Sequence, residues 1–299
     1  MPPEAASFAG RVVIITGAGK GLGRAYARHL AARGARVLVN NRSHAGEGRA
    51  SADRVVAEIR AAGGEAAADY SEITDAGAGA RLVERALDTW GRLDAHIANA
   101  GVSEGRSFHK QSVEEFRQNF EVNLFGTVNV LHPVFRHLYE QRGGAVLLST
   151  SVAGLYGEHG LPAYSSSKAA LLGLTYALAH EGAGRGVRVN AIAPYAATQM
   201  TEAHLPEALR ERMAPDYVAP VAAWLVDERC ALNGEIVISG AGRIARARMH
   251  ETDGRRMEGT EPEAAGAALE QLAGLPFDRT APAAVEHFRR FVAEAPPTD

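Results

Sequence analysis

The sequence predicts one α/β domain built on a doubly wound parallel sheet with helices on both faces, followed by a helical C-terminal extension. Two observations support this class. Short β-branched segments alternate with long alanine-rich amphipathic segments, and the candidate ligand-binding motifs directly follow the short segments. Such alternation is typical of a parallel sheet covered by helices. In these sheets ligands bind beyond the carboxyl ends of the strands, where the strand order reverses.

The individual elements follow from this alternation. Seven strands are predicted, at 11–16, 35–39, 65–69, 93–100, 144–150, 187–193 and 234–239. Helices are predicted between them, near 21–33, 50–62, 75–90, 112–140, 162–182 and 215–227. After residue 250 a polar linker leads into a helix, and a second helical segment covers about 281–294. We therefore divide the chain into a domain at 1–249 and an extension at 250–299, which packs on the domain or on a partner subunit.

Composition excludes several classes of function. The 299 residues carry a net charge of −3 and a pI near 6.4, so no global basic field attracts nucleic acid or an anionic membrane. The single cysteine, Cys230, excludes an intrachain disulfide, and no Cys/His spacing suggests a metal site. The N-terminal MPPEAASFAG does not resemble a secretory signal, and the apolar runs are shorter than the roughly 18–20 residues of a membrane span. These features favour the cytoplasm.

A glycine-rich turn follows the first predicted strand. Its residues are Thr16, Gly17, Ala18, Gly19, Lys20, Gly21, Leu22 and Gly23, with the spacing Gly-x-x-x-Gly-x-Gly. Glycine permits unusual backbone angles and lets a pyrophosphate approach the N–H groups at a helix N-terminus. The alternative is an ordinary tight turn. Because a strand precedes this turn and a helix follows it, the pattern favours a dinucleotide site.

The end of the second strand, LVNNRSH, indicates which dinucleotide is bound. A site that prefers NAD usually has a carboxylate here, about 20 residues after the glycines, to hold the ribose 2′-hydroxyl. This chain has Asn41 and Arg42 instead. Neutral Asn41 does not repel a 2′-phosphate, and Arg42 can bind one through charge-assisted hydrogen bonds. The sequence therefore predicts NADP(H) as the preferred cofactor, with NAD(H) still possible if Arg42 is only a solvated loop residue.

A second group of residues has the chemistry of an acid–base catalyst. Tyr164 and Lys168 are four residues apart on a predicted helix, so both side chains leave the same face. A neighbouring ammonium and a cationic nicotinamide favour phenolate, which would bring Tyr164 from its reference pKa of about 10 towards the working range. Ser151 ends a strand thirteen residues earlier, and Asn123 is a polar residue in an apolar helical stretch. For Asn123 the alternative is a satisfied buried amide, and the nearby hydroxyls of Ser149, Thr150 and residues 165–167 are interpreted as structural.

With these motifs, residues 8–240 resemble the short-chain dehydrogenase/reductase family. The resemblance implies a Rossmann-type fold, with Tyr164 as general acid/base and Ser151 orienting the substrate oxygen. Lys168 would bind the nicotinamide ribose and lower the Tyr164 pKa, and Asn123 would hold a water of the proton relay. Lys20 lies where NADP-preferring members often carry a second cation. Further cofactor contacts are expected at Asp69, Tyr70, Asn99, Ala100, Gly101, Pro194 and Thr198.

The segment 190–243 suggests the substrate class. Its IAP, PDYVAP and GEIVISGAG stretches are similar to the (3R)-hydroxyacyl-CoA dehydrogenase domains of peroxisomal multifunctional β-oxidation proteins. That likeness implies a β-keto or β-hydroxy acyl thioester, with a steroid or polyketide ketoreductase as the alternative. Tyr195 departs from the family, most members of which have glycine after the proline. A basic cluster at Arg243, Arg246 and Arg248 either meets a CoA phosphate or is ordinary solvated surface.

A different class of function is a non-catalytic nucleotide-binding scaffold or redox sensor on the same fold. The presence of all four residues to which the resemblance assigns catalytic roles favours the enzyme instead; they are Asn123, Ser151, Tyr164 and Lys168. The family resemblance further implies a homodimer or homotetramer formed through the helices at 112–140 and 162–182. The expected partners are therefore a small-molecule carbonyl or alcohol substrate and further copies of the chain.

Overall fold

The structure, a computed structural model, describes residues 8–42, 50–199, 201 and 206–293. Residues 1–7, part of the segment in which no secretory signal is expected, lie outside this range. The described strands are β1 (Val12–Thr16), β2 (Arg36–Asn40), β3 (Glu65–Asp69), β4 (Ala95–Ala98), β5 (Gly144–Ser149), β6 (Val187–Pro194), β7 (Ile236–Gly240) and β8 (Arg243–Ala247). The described α-helices are α1 (Gly21–Ala31), α2 (Ala50–Ala61), α3 (Ala78–Trp90), α4 (Val113–Phe120), α5 (Gly126–Gln141), α6 (Val152–Tyr156), α7 (Pro162–Ala183), α8 (Glu207–Arg210), α9 (Ala219–Val226), α10 (Pro262–Leu272) and α11 (Ala284–Ala293).

The strands form one sheet within the described residues, in the order β3-β2-β1-β4-β5-β6-β7-β8. Strands β1 to β7 are parallel to their neighbours, and β8 pairs antiparallel with β7. Because β1 lies between β2 and β4, the strand order reverses at β1, and a crevice opens there beyond the carboxyl ends. The predicted doubly wound α/β class is confirmed.

Both faces of the sheet are covered by helices, as alternate residues of β1 illustrate. Val13 and Ile15 point into an apolar layer that they share with residues of α1, α2 and α9. Val12 and Ile14 point into the opposite layer, which contains residues of α3 and α5. The buried aliphatic residues of the central strands therefore pack on both sides, which explains why these strands are nearly continuous apolar segments in the sequence.

The edge strand β8 is absent from the predicted set of strands. Its residues RIARA are mostly exposed, so the segment lacks the apolar character by which buried strands are identified. A tight turn with positive φ at Ala241 (48°) and Gly242 (73°) reverses the chain onto β7. Arg246 in β8 donates to the buried Glu235 carboxylate at 2.6 and 3.0 Å. Arg246 of the predicted basic cluster is thus engaged in an ion pair, and charged side chains of this kind protect sheet edges.

The helix predicted at 112–140 is interrupted in the structure. A π-helical turn, Glu121–Phe125, separates α4 from α5 and places Asn123 in its centre. The helix predicted at 215–227 also begins differently, as a 3₁₀ turn at Pro215–Tyr217 followed by α9 with Pro220 in its first turn. The short helices α6 and α8 are not in the predicted set. Helical periodicity in the sequence does not distinguish an α-helix from one that contains a π turn, so this break has no sequence signal.

The chain divides into two compact units, Met1–Ala247 and Arg248–Asp299. The first contains the sheet, and the second contains α10 and α11. Within the second unit, Glu251 pairs with Arg279 in an isolated antiparallel bridge and accepts hydrogen bonds from His287 and Arg290. Among the described residues, no helix is long and apolar enough to span a membrane, and no group of three or more His, Cys, Asp or Glu could hold a metal ion.

Candidate active site

The glycine-rich turn connects β1 to α1 at the carboxyl edge of the sheet. Gly17 and Gly21 have positive φ angles of 63° and 51°, which residues other than glycine rarely adopt. A Cβ on Gly17 would also lie 2.8 Å from the Ala100 Cα, and one on Gly23 would lie 2.3 Å from the Gly17 oxygen. The turn therefore requires glycine for its shape and for the close approach of β4.

Two polar side chains join this turn to the end of β4. The Thr16 hydroxyl accepts hydrogen bonds from the backbone N–H groups of Asn99 (3.1 Å) and Ala100 (3.2 Å). In return, the Asn99 side-chain amide donates to the backbone oxygens of Thr16 (3.1 Å) and Gly17 (3.2 Å). The Asn-Ala-Gly segment is thereby fixed beside the phosphate-binding turn, although Thr16 itself lies beneath the surface.

Asn41 and Arg42 follow β2 at one end of the site. Asn41 is buried, and its amide donates to the Ser51 hydroxyl at 2.8 Å. Gly19 accommodates it, since a Cβ there would lie 2.7 Å from the Asn41 Cγ. The Arg42 guanidinium lies on the surface, 3.4 Å from the Glu72 carboxylate. Position 41 therefore has a buried neutral amide, and position 42 has an exposed cation.

Asp69 and Tyr70, predicted as cofactor contacts, have protein partners in the structure. The Asp69 carboxylate accepts hydrogen bonds from the Ser71 backbone N–H (2.8 Å) and the Asn40 side chain (3.0 Å). The Tyr70 hydroxyl donates to the Asp53 carboxylate. Asp69 thus holds the loop after β3 against the end of β2, which positions the neighbouring residues of the cleft.

Asn123, on the π turn, contacts the loop after β4. Its side-chain oxygen accepts from the Val102 N–H at 2.8 Å, and its amide donates to the Val102 oxygen and the Ser167 hydroxyl, both at 3.0 Å. The amide is therefore buried and hydrogen-bonded. Ser167 in turn donates to the Tyr164 backbone oxygen at 2.9 Å, so it links Asn123 to the helix that carries Tyr164. In the sequence, Ser167 is one of three consecutive serines, and nothing there indicates that it connects Asn123 with the Tyr164 backbone.

Tyr164 and Lys168 lie on α7, with the Lys168 Nζ 5.9 Å from the centre of the Tyr164 ring. Lys168 is buried and donates to the Ser149 backbone oxygen at 2.8 Å, and burial lowers its pKa to about 8. Burial also raises the pKa of Tyr164, while a hydrogen bond with Ser151 acts in the opposite direction. The net direction is upward, opposite to the lowering expected from Lys168, because desolvation of the phenolate outweighs the hydrogen bond.

Ser151 follows β5 and begins α6. Its hydroxyl accepts a hydrogen bond from the Ala153 N–H at 3.1 Å, which caps that short helix. α6 packs directly on α7, since a Cβ on Gly154 would lie 2.8 Å from the Lys168 carbonyl carbon. The Thr150 hydroxyl adds a bond to the Lys168 backbone oxygen at 2.7 Å. These contacts hold Ser151 next to Tyr164.

A cleft of about 320 Å³ runs along the carboxyl edge of the sheet and brings most of the predicted residues together. The predicted residues that line it are Gly17, Lys20, Gly21, Leu22, Asn41, Arg42, Asn99, Ala100, Gly101, Tyr164, Lys168, Pro194 and Thr198. The predicted residues outside its wall, among those described, are Thr16, Gly19, Gly23, Asp69, Tyr70, Asn123 and Ser151. Lining residues absent from the prediction include Asn40, Ser71, Glu72, Ile73, Val102, Val122, Ala196, Gln199 and Thr201.

The residues that line this cleft suit a dinucleotide. It passes from Arg42, across the glycine turn, to Lys168 and Tyr164. Gly101 opens the middle, because a Cβ there would lie 3.0 Å from the Asn123 oxygen and 3.2 Å from the Lys168 Nζ. A cation at one end and a phenol–amine pair at the other can hold a nucleotide and exchange a proton. These features define a dinucleotide-binding protein of the doubly wound α/β class.

Comparisons with known proteins agree with this class. The family model described as short chain dehydrogenase matches residues 11–208. The chain is 43% identical over 265 residues to the peroxisomal multifunctional enzyme type 2 of Mus musculus, covering 86% of this chain but 36% of that protein. It is 33% identical over 247 residues to the 3-oxoacyl-[acyl-carrier-protein] reductase of Thermotoga maritima, covering 79% of this chain and 98% of that protein.

A solved structure extends the likeness to three dimensions. A short chain dehydrogenase from Mycobacterium avium superimposes with a TM-score of 0.81 at 35% identity, covering 92% of this chain and 98% of that one. The chain belongs to the short-chain dehydrogenase family, whose members are oxidoreductases acting on CH–OH groups with nicotinamide dinucleotides. It spans about a third of the length of the mouse relative.

Proposed function

We propose that the protein is an NADP(H)-dependent oxidoreductase that interconverts a ketone and a secondary alcohol, with Tyr164 as the general acid/base. The observation that carries this proposal is the position of the Tyr164 and Lys168 side chains on the wall of the dinucleotide cleft, with Ser151 next to the phenol. A bound nicotinamide would supply or accept the hydride. The remaining chemistry, orientation of the substrate oxygen and transfer of its proton, falls to residues of this chain.

The roles of these residues follow from their surroundings. In the direction of reduction, the Tyr164 hydroxyl donates its proton to the substrate oxygen, and its raised pKa keeps it protonated at neutral pH. Ser151 donates a hydrogen bond to the same oxygen. Lys168, held by the Ser149 backbone oxygen, binds the nicotinamide ribose and is protonated at neutral pH because its pKa is about 8. Asn123 and Ser167 position α7 relative to the loop after β4.

Replacing Tyr164 by Phe removes the proton donor without removing the ring. Because a positioned acid or base contributes about 10²- to 10⁴-fold, kcat for ketone reduction should fall by that factor. NADPH binding, measured by fluorescence titration, should change little. Ser166→Ala is a matched control, since its exposed hydroxyl bonds only to the Pro162 backbone oxygen among the contacts described. Unchanged turnover in Tyr164→Phe would refute the assignment.

The proposed preference for NADP(H) depends on Arg42. Its guanidinium borders the cleft beside neutral Asn41, where a 2′-phosphate would meet a cation and no carboxylate at position 41. Charged hydrogen bonds contribute about 1.5–3 kcal/mol, so Arg42→Ala should weaken NADPH binding about ten- to hundredfold and NADH binding little. Arg36→Ala, at the other end of β2, is the matched control. An NADH preference in the unmodified protein would contradict this proposal.

We further propose a β-keto or β-hydroxy acyl thioester as the substrate class. Support comes from the likeness of segment 190–243 to (3R)-hydroxyacyl-CoA dehydrogenase domains and from the 3-oxoacyl-[acyl-carrier-protein] named for the Thermotoga relative. A panel of acyl thioesters, short ketones and steroids, followed by NADPH absorbance, tests this directly. The highest kcat/KM should be for a thioester, and a steroid with a higher value would favour the alternative ketoreductase.

Assembly and location are also proposals. A groove between α5 and α7, lined by apolar residues that include Leu131, Phe135, Leu174 and Leu178, supports a homodimer or homotetramer formed through these helices. Composition and the single cysteine favour the cytoplasm, whereas the mouse relative is named as peroxisomal. Sedimentation of the purified protein and fluorescence imaging of the tagged chain would test these two points.

A further inference from the structure

Among the described residues that line the cleft, one acidic side chain lies at the end where Arg42 is found, and no sequence motif identifies it. The Glu72 carboxylate lies 3.4 Å from the Arg42 guanidinium, and both side chains line the cleft. Their side chains are 42% and 53% exposed, so the pair borders the open cleft and is not part of the core. Any group that approaches Arg42 from the cleft therefore also approaches a negative charge.

The position of Glu72 is restricted by its neighbours in the chain. Ser71 donates its backbone N–H to Asp69 at 2.8 Å, and its backbone oxygen accepts from Asn40 at 3.0 Å. On the other side, the Ile73 backbone oxygen accepts from Asn129 of α5 at 3.1 Å. Glu72 lies between two residues that are tied to β2 and to α5. Its backbone is thus held on the same side of the cleft as Arg42.

We propose that Glu72 is a specificity-determining residue that limits how strongly the protein favours NADP(H) over NAD(H). This inference rests on the proposed role of Arg42. A phosphate monoester carries about −1.5 to −2 charges at neutral pH, so a 2′-phosphate is repelled by Glu72 and competes with it for the Arg42 guanidinium. A 2′-hydroxyl is neutral and encounters neither effect. Arg42 creates the preference, and Glu72 reduces it.

The test is direct titration of the purified protein with NADPH and with NADH, without substrate. Glu72→Gln keeps the size of the side chain and removes its charge. NADPH should bind about three- to tenfold more tightly, because a charge a few ångströms from a phosphate contributes about 1 kcal/mol in a water-exposed site. NADH binding should change less than twofold. The gain for NADPH should shrink as salt is added, since exposed charges are screened.

Glu65→Gln is the matched control. Glu65 begins β3, at the end of the strand opposite the cleft, and it forms the same kind of pair with Arg36 at 3.0 Å. Its substitution should leave the ratio of NADPH to NADH affinity unchanged. The inference is supported if only Glu72→Gln raises this ratio. It is overturned if Glu72→Gln leaves the ratio unchanged or tightens both dinucleotides equally.

Arg42→Ala, titrated in the same series, separates this inference from the proposed function. If Arg42→Ala weakens NADPH binding and Glu72→Gln has no effect, the role of Glu72 is refuted and the cofactor proposal stands. If Arg42→Ala leaves NADPH binding unchanged, the cofactor proposal itself fails. In the double variant the gain from Glu72→Gln should be smaller than in the single variant, because competition for the guanidinium is gone.

Discussion

Lys168 is a buried cation, and the burial of its charge reduces the stability of the folded protein. Its side chain is almost fully buried at the wall of the cleft. Its ammonium donates to the Ser149 backbone oxygen and has a pKa lowered by burial to about 8 from the ordinary 10.5. Motif spacing in the sequence predicted three of the site residues. Lys168 lies four residues after Tyr164, Tyr164 lies thirteen residues after Ser151, and Arg42 follows the second strand about 20 residues after the glycine-rich turn. No motif spacing indicates Glu72 or Ser167, because their contacts form only when the fold brings distant segments of the chain together.

The lowered pKa predicts a pH dependence of stability. Below about pH 8 both the folded and the unfolded protein carry the Lys168 proton, and the folded state bears the full desolvation penalty. Between about pH 8 and 10.5 the folded state releases the proton while the unfolded state keeps it, so stability rises with pH. The gain is at most about 3.5 kcal/mol, at roughly 1.4 kcal/mol per pH unit over this range.

This gain can be measured by urea unfolding of wild type and Lys168→Met at pH 7.5 and 10. The difference between their free energies of unfolding isolates Lys168, because the other titrating groups are present in both proteins. Wild type should gain stability relative to Lys168→Met as the pH rises. Lys110→Met, which replaces an exposed lysine, should track wild type throughout. A constant difference between wild type and Lys168→Met would contradict the prediction.

At the scale of elements, the apolar strands and most helices were predictable because burial on both faces leaves continuous hydrophobic segments. The edge strand β8 and the π turn at Glu121–Phe125 were not, because the first is charged and exposed and the second keeps helical periodicity. The sequence also gives no indication that α3 packs on α5. A Cβ on Gly79 of α3 would lie 2.3 Å from the Asn129 oxygen and 2.8 Å from the Val130 Cα.

Gly79→Ala should therefore destabilise the protein. The added methyl group meets backbone atoms of α5, so one helix must shift, and overpacking of this kind costs about 1–3 kcal/mol. Gly266→Ala in α10 is the control, because no described atom lies within 4 Å of a Cβ there. That change should be neutral or stabilise by up to about 1 kcal/mol through helix propensity. Thermal unfolding distinguishes the two, and an equal response of both variants would argue against close α3–α5 packing.

At the scale of the whole molecule, the described chain forms a sheet-containing unit and a small helical unit that begins at Arg248. The second unit exposes large apolar side chains, including Phe277, Phe288 and Phe291. Packing of residues 250–299 on the catalytic unit or on a partner subunit remains our proposal. Sequence periodicity detects an amphipathic helix, but the surface that covers its apolar face is set by contacts distant in the chain or in another copy.

The cleft's two ends are built from separate parts of the sheet. Arg42 and Glu72 follow β2 and β3, whereas Tyr164 and Lys168 depend on β5 and α7. We expect single substitutions at the first end to change the proposed preference between NADPH and NADH and to leave proton transfer at the second end unchanged. With the proposed roles, the cofactor preference of this enzyme can therefore be changed without altering the residues proposed for its proton transfer.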